Sequence, residues 1–244
     1  MVREATLLGQ DTNIQIIESL VENQNFTLYP KDFFECLHYL IRFRNPNLYL
    51  HAAKVGIVSY LLALKLGYPT KFADLMQYAG WVHDLGLIFV PLNIQDSFLR
   101  ITLSQDSGWE RIYKLHPIVG AEILGKVPAL NGTPENLTFM ILHHHENWDG
   151  TGFPKGLKGK EIPIGGRILR IADTFVRLVD SPPRGEGLSV KDAFFEILKD
   201  SKKIFDPHLV SSMIEIEDTL LVWLDLVEKD AEKEIKYKNR EILQ

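Results

Sequence analysis

His143-His144-His145-Glu146 sets three imidazoles beside a carboxylate, and a turn rich in Gly, Asp and Pro follows from Asn147 to Pro154. Imidazole is the commonest metal ligand among side chains, and Gly and Pro supply the backbone angles that tight turns need. His83-Asp84 is a second adjacent pair of ligand-type residues. His51, His116 and Asp173 also sit among residues that are otherwise apolar. Each has a plain explanation when taken alone. A lone histidine on an apolar helix face is usually a core residue with one hydrogen bond, and a lone buried aspartate is usually a cap or a backbone tie. Together that account is poor, because burying so many polar groups without a common partner costs about several kcal/mol in total. A shared metal cluster satisfies all of them.

The donor types narrow the metal. Imidazole and carboxylate without thiolate suit iron, manganese, nickel or zinc, and an iron or manganese pair fits well. Five histidines and two aspartates exceed what one ion with an open position needs, so the set suits two ions. Asp84 has two oxygens and can bridge them. Two ions roughly 3.5–4 Å apart lower the pKa of a water and clamp a phosphate for in-line attack, which is phosphodiester hydrolysis chemistry. His143 points elsewhere on its helix and is read as structural, as is His208 after Pro207. His38 is read as a partly exposed histidine.

The elements that must position these groups are helical. Ile14, Ile17 and Leu20 suggest a short amphipathic helix, and Phe33, Phe34, Leu37, Leu40 and Ile41 a second one after Pro30. The stretch Arg42 to Asn47 breaks it at Pro46. A helix from about Asn47 to Leu66, ended by Gly67 and Pro69, carries His51 in line with Val55, Val58 and Leu62. Thr70 is expected to cap the next, whose Met76 and Ala79 share a face with His83. Trp109 to Leu124 reads as a helix closed by Gly125, with His116 on the face of Trp109 and Ile112. Thr133-Pro134-Glu135 reads as the start of the helix that leads through Leu137, Met140 and Ile141 to the histidines. Asp173 lies on a helix after Gly165-Gly166, Ser189 starts another, and Asp206-Pro207 starts a last one running through Leu209, Met213, Leu220 and Leu224. No strand alternation or tandem repeat is evident.

Composition sets the limits. The chain has 244 residues, 45% of them hydrophobic and 24% charged, which is ordinary for a globular protein. A net charge of -5 gives no basic footprint, so DNA or RNA held mainly by phosphate contacts is not expected as a partner. The single cysteine, Cys36, excludes an internal disulfide and a cysteine-rich zinc site, and fits a reducing, cytoplasmic setting. No uncharged apolar run suggests a membrane span, and no signal-peptide core follows Met1.

With those residues in view, the chain resembles the HD-GYP family, a branch of the HD superfamily of metal-dependent phosphohydrolases. His83-Asp84 matches the HD pair, and His144 to Pro154 matches the family's HHExxDGxGYP. The match continues through Gly156-Leu157-Lys158-Gly159, Ile162-Pro163, Arg167-Ile168 and Ala172-Asp173-Thr174-Phe175 and spans roughly residues 47–210. The resemblance implies an all-α, multi-helix HD-type bundle with a Gly/Pro-rich GYP-type loop. It suggests an N-terminal helical segment at 1–45, a phosphohydrolase domain at 46–228 and a charged helical tail at 229–244. The N-terminal segment either packs on the core or mediates dimerisation.

The same resemblance implies roles. His51, His83, Asp84 and Asp173 match the ligands of one metal, and His116, His144 and His145 those of a second, with Asp84 bridging and positioning a catalytic hydroxide. Two divalent ions are implied, iron first and manganese as the alternative. The implied activity is hydrolysis of cyclic di-GMP to pGpG or GMP; some family members act on cyclic GMP-AMP. Asp149, Gly150, Gly152, Phe153 and Pro154 form the family loop, at which a GGDEF-type or other signalling partner is implied, and a homodimer is compatible with the pattern. Four positions depart from it. Leu87 stands where a lysine is usual, and Asn47 where three-metal members have glutamate. Phe153 replaces the tyrosine. Pro182-Pro183-Arg184-Gly185-Glu186 replaces a basic stretch that contacts ligand phosphates, so Arg184 is either a displaced substrate contact or an exposed loop charge. The alternative to a phosphodiesterase is therefore a catalytically impaired module that serves as a cyclic dinucleotide receptor or a protein-interaction domain. A phosphohydrolase for another nucleotide is disfavoured by the 148–163 loop.

Overall fold

A computed structural model describes residues 30–92, 109–127, 136–180, 187–227 and 229. The regular elements among the described residues are helices, with α1 at Pro30–Arg44, α2 at Pro46–Lys65, α3 at Thr70–Val82, α4 at Trp109–Gly125 and α5 at Leu137–Leu142. α6 spans Ile164–Asp180, α7 Val190–Lys199 and α8 Pro207–Ile214, and α9 covers 217–227. Short 3-10 turns lie at Leu85–Phe89 and Gly159–Glu161. Among the described residues the sole β-type pairing is an isolated bridge between Ser201 and Phe205. The all-α expectation holds.

The caps explain most boundaries. Asn45 sits in extended geometry and its side chain accepts from the amides of Asn47 and Leu48, with Pro46 in the first turn of α2. Gly67 ends that helix at φ +82°, a left-handed angle that suits glycine. Two boundaries differ from the sequence reading, and a third, expected at Thr133, falls outside the described residues. Pro69, not Thr70, precedes α3, and no side chain caps it. Asn136 caps α5 by accepting from the Thr138 amide, so the described helix begins at Leu137, while Thr133 to Glu135 lie outside the described residues. The last expected helix is two, because the chain turns at Glu215–Ile216; Leu220 and Leu224 still reach the core.

α2 is the central element. It is long and apolar enough to cross a membrane by length and composition, but more than half of its surface-bearing window, 56%, is buried in the bundle. It packs on α1, α3, α6 and α8. The crossing with α3 is close because two glycines face each other. A Cβ on Gly80 would lie 2.4 Å from the Cα of Gly56. That approach brings the N-terminal half of α2, with His51, beside the C-terminal end of α3, with His83. On the far side, a Cβ on Gly86 would lie 2.1 Å from the His116 carbonyl oxygen, so the turn after Asp84 is seated on the backbone of α4.

α1 contributes Phe34, Leu37 and Ile41 to the same core as the other helices. Residues 1–29, including Ile14, Ile17 and Leu20, lie outside the described residues. His38 is buried, not partly exposed. Its Nε2 pairs with the Tyr49 carbonyl at 3.1 Å, and the ring stacks on Tyr49 and Trp81. Lys54 on α2 reaches Asp180 on α6 at 2.5 Å and ties those helices together.

Gly80→Ala should cost about 1–3 kcal/mol in urea unfolding, because the added methyl meets backbone rather than a movable side chain. Gly125→Ala should be neutral or stabilising by up to about 1 kcal/mol, since its nearest contact is Thr138 Cγ2 at 4.0 Å. His38 yields a pH prediction. Burial lowers its pKa to about 4, opposed by the Tyr49 carbonyl and assisted by Arg42. The unfolded chain takes up a proton near pH 6.5 that the folded chain refuses until about 4. Stability is therefore full above that window and is lost as pH falls through it. His38→Gln should show a smaller drop in melting temperature between pH 7.5 and 5 than the unsubstituted protein.

Candidate metal centre

Five helices and the turns that follow two of them deliver the seven residues to one place. α2 carries His51, the end of α3 presents His83, and the following turn presents Asp84. α4 carries His116, the turn after α5 carries His144 and His145, and α6 carries Asp173. None is more than 3% exposed. They form two groups that share Asp84. Asp84, His116, His144 and His145 offer ligand atoms all within 4.8 Å of one another, and so do His51, His83, Asp84 and Asp173. The two oxygens of Asp84 divide between the groups. Oδ1 lies 3.0 Å from His116 Nε2 and 3.7 Å from His144 Nε2, whereas Oδ2 lies 3.3 Å from His83 Nε2. Asp84 itself adopts φ -96°, ψ 17°, the sparsely populated bridge region.

Three of the histidines are held in one tautomer by main-chain carbonyls. His83 Nδ1 donates to the Gly80 carbonyl at 2.8 Å, and His144 Nδ1 to the Ile141 carbonyl at 2.6 Å. Both acceptors lie in the last turn of a helix, where carbonyls lack full helical partners. His116 Nδ1 donates to the Tyr113 carbonyl at 2.5 Å. There the helix continues, but the residue that would otherwise bond Tyr113 is Pro117, which has no N–H. In each case the carbonyl three residues back takes the Nδ1 proton and turns Nε2 inward, the usual orientation of a metal-ligating histidine.

That arrangement is unfavourable without a cation. His116 Nε2 and His144 Nε2 are 3.2 Å apart, two lone pairs facing each other and also Asp84 Oδ1. His83 Nε2, Asp84 Oδ1 and Asp173 Oδ2 are buried with no hydrogen-bond partner. Burial would raise the Asp84 carboxyl, but attraction to His83 outweighs it and holds the group well below the usual carboxylate range. Asp173 behaves likewise, with Arg177 as the opposing charge. Burial lowers His83, yet Asp84 and Asp173 reverse that and push it up to about 10. Burial lowers His144 to about 4 against the pull of Asp84. A pocket that draws protons onto a buried imidazole and keeps two carboxylates ionised has the chemistry of a divalent cation site, and these residues fit one.

The residues around the cluster sort by contact. His143 stays out of it, as expected. Its Nδ1 pairs with Glu146 at 3.3 Å. Glu146 is buried and accepts from the amides of Lys155 and Leu157, which folds the GYP-type loop back on the histidine turn. Phe153 donates its amide to the His145 carbonyl and stacks on the His145 ring at 4.8 Å. Asp149 accepts from Thr151, and Gly150 takes φ +88°. Leu87 is fully buried in the apolar core and Asn47 is exposed. Arg184 lies outside the described residues, as do all of 181–186. His208 is exposed, and its amide caps onto Asp206.

Two residues at the site escaped the sequence reading. The Tyr113 hydroxyl pairs with His145 Nε2 at 3.2 Å. Arg177 is buried and reaches both carboxylates, with Nε at 2.6 Å from Asp173 Oδ1 and a terminal nitrogen 3.2 Å from Asp84 Oδ2. The signal for Arg177 was its place four residues after Asp173 on an otherwise apolar face.

Comparison with known proteins agrees with this geometry. The HD domain family model matches residues 35–209, and the chain belongs to that family. A cyclic di-GMP phosphodiesterase of Thermotoga maritima is 32% identical over 222 residues, covering 89% of this chain and 58% of that protein. A 3'3'-cGAMP-specific phosphodiesterase 2 of Vibrio cholerae is 30% identical over 177 residues, covering 70% of this chain and 32% of that protein. The chain thus spans about half or less of these relatives. Among solved structures, the HDG"Y"P protein Bd1817 of Bdellovibrio bacteriovorus shares the fold with a TM-score of 0.55 at 22% identity, over 87% of this chain and 63% of that one.

Glu146→Ala should cost about 1–3 kcal/mol, because it strands two backbone N–H groups and the His143 ring nitrogen. Limited trypsin digestion should then cut first at Lys155, Lys158 or Lys160; an unchanged digestion order would show that Glu146 does not hold the loop.

Proposed function

We propose that this chain is a metal-dependent phosphodiesterase for cyclic dinucleotides, with His51, His83, Asp84, His116, His144, His145 and Asp173 holding two divalent ions and Asp84 bridging them. The observation that carries this reading is the pair of four-residue groups sharing Asp84, with three imidazoles fixed so that their Nε2 atoms converge. The donor set, imidazole and carboxylate without thiolate, favours iron, with manganese as the alternative. Two bound ions would supply a nucleophile at neutral pH and positive charge for the phosphate. The chain's own residues then do the rest. The carbonyl-locked histidines keep the ion positions fixed, Glu146 and Phe153 hold the loop over them, and Arg170 stands one turn before Asp173, bonded to Asn147 and Thr174. Hydrolysis opens one phosphodiester: water adds its oxygen to phosphorus, the P–O bond to the ribose breaks, and the released alkoxide takes a proton. Cyclic di-GMP is the substrate we favour, from the names of the relatives, and cyclic GMP-AMP is the second.

A receptor role is the rival reading. It is favoured by Leu87, which is packed in the core and places no charge at the site, and by Arg177, which occupies both carboxylates.

Iron- or manganese-loaded protein incubated with cyclic di-GMP and, separately, 3'3'-cGAMP should release linear product, read by chromatography. Tight calorimetric binding with no product over hours would favour the receptor. Asp84→Ala should lose both metal and turnover; metal retained at two ions per chain in that variant would overturn the bridging assignment.

A further inference from the structure

We infer that Arg177 is a resident cation of one metal position and makes the two positions unequal, so that the centre loads in sequence. The inference rests on the two-ion reading above and concerns which position fills first.

The two groups differ in how many carboxylates they hold and in what those carboxylates meet. The Asp84 Oδ1, His116, His144, His145 group is approached by no guanidinium in the described contacts of its carboxylate oxygen, and that oxygen has no hydrogen bond. The other group has two carboxylates, and Arg177 donates to both: Nε to Asp173 Oδ1 at 2.6 Å and a terminal nitrogen to Asp84 Oδ2 at 3.2 Å. The contact with Asp173 is an i,i+4 pair of the kind that supports a helix. The contact with Asp84 spans 93 residues of sequence and does nothing for α6. It places a permanent positive charge against the oxygen that faces His83. With side chains 6% and 1% exposed, water screens little of this interaction. Arginine keeps its charge at any pH the protein meets, so the guanidinium cannot yield by deprotonation.

An ion entering the His51, His83, Asp84, Asp173 group must therefore compete with a cation already there. Asp173 Oδ1 is further engaged by His51 Nε2 at 2.9 Å, which leaves Asp173 Oδ2 as the open oxygen of that carboxylate. Among the described contacts, no guanidinium donates to the carboxylate oxygen of the other group. The His116, His144, His145 position should fill first. The second ion must displace Arg177 from at least Asp84 Oδ2, and giving up one charge-assisted hydrogen bond weakens binding by about tenfold or more. The protein would then pass from a one-ion to a two-ion state over a range of metal concentration rather than at a single threshold.

The test is a Mn2+ titration of the chelator-treated 244-residue chain, followed by calorimetry and low-temperature electron paramagnetic resonance. Unsubstituted protein should show two steps separated by about tenfold or more, with an isolated-ion spectrum at one equivalent and an exchange-coupled pair only at higher loading. Arg177→Met should bring the two steps together and give the coupled signal at one equivalent. Two indistinguishable steps in unsubstituted protein overturn the inference and leave the two-ion reading standing; absence of bound Mn2+ overturns both. An unchanged gap in folded Arg177→Met also overturns it. If that variant does not fold, Arg177→Lys takes its place, since it keeps the charge but cannot fork across both carboxylates. Its gap should narrow, and an unchanged gap overturns the inference.

Discussion

A carboxylate that is 1% exposed and has one oxygen unpaired must face a cation, and Asp84 is that carboxylate. Its position makes the rest of the structure intelligible. Oδ1 meets two imidazole nitrogens that present lone pairs, and Oδ2 meets His83 and Arg177. Desolvating such a group is costly unless charge and hydrogen bonds compensate. The surrounding helices are arranged to supply that compensation. The Gly56–Gly80 crossing brings α2 to α3, and Gly86 lets the turn after Asp84 lie on the backbone of α4.

The imidazoles show how backbone geometry sets side-chain chemistry. A histidine offers either nitrogen to a metal unless something chooses for it. Here the choice falls to main-chain carbonyls freed by the end of α3, the end of α5 and Pro117 in α4. The ligands are thereby oriented by the same hydrogen-bond accounting that ends helices. His145 lacks such a tie; Tyr113 and Phe153 hold it instead. That difference joins the GYP-type loop to the metal cluster, and Glu146 reinforces the join from beneath. The family loop is therefore part of the centre's wall as well as a sequence signature.

Arg177 alters the charge balance of that centre. Two buried carboxylates share one buried guanidinium, so part of their charge is already met before any metal arrives. The carboxylate that belongs to both groups is thus shared three ways, between two sets of histidines and an arginine. A centre so built differs from one in which both positions are open, whatever the rest of the ligand set.

Much of this was legible in the sequence. Helix type, the five histidines, the two aspartates and the exclusion of His143 follow from residue type and helical spacing, because a polar group repeatedly placed on an apolar face has to be reconciled with burial. Local boundaries were less secure. Thr70 looked like a cap, but capping depends on where the preceding chain enters, and Pro69 holds that place. His38 looked half exposed because its covering rings, Tyr49 and Trp81, come from other helices. The sequence by itself determined which residues could bind metal, since chemistry resides in side-chain type. Only the tertiary structure decided how the oxygens of Asp84 are divided, which nitrogen each imidazole presents, and that Arg177 lies across both carboxylates. Those are distances between segments far apart in the chain, and spacing along one helix carries no information about them.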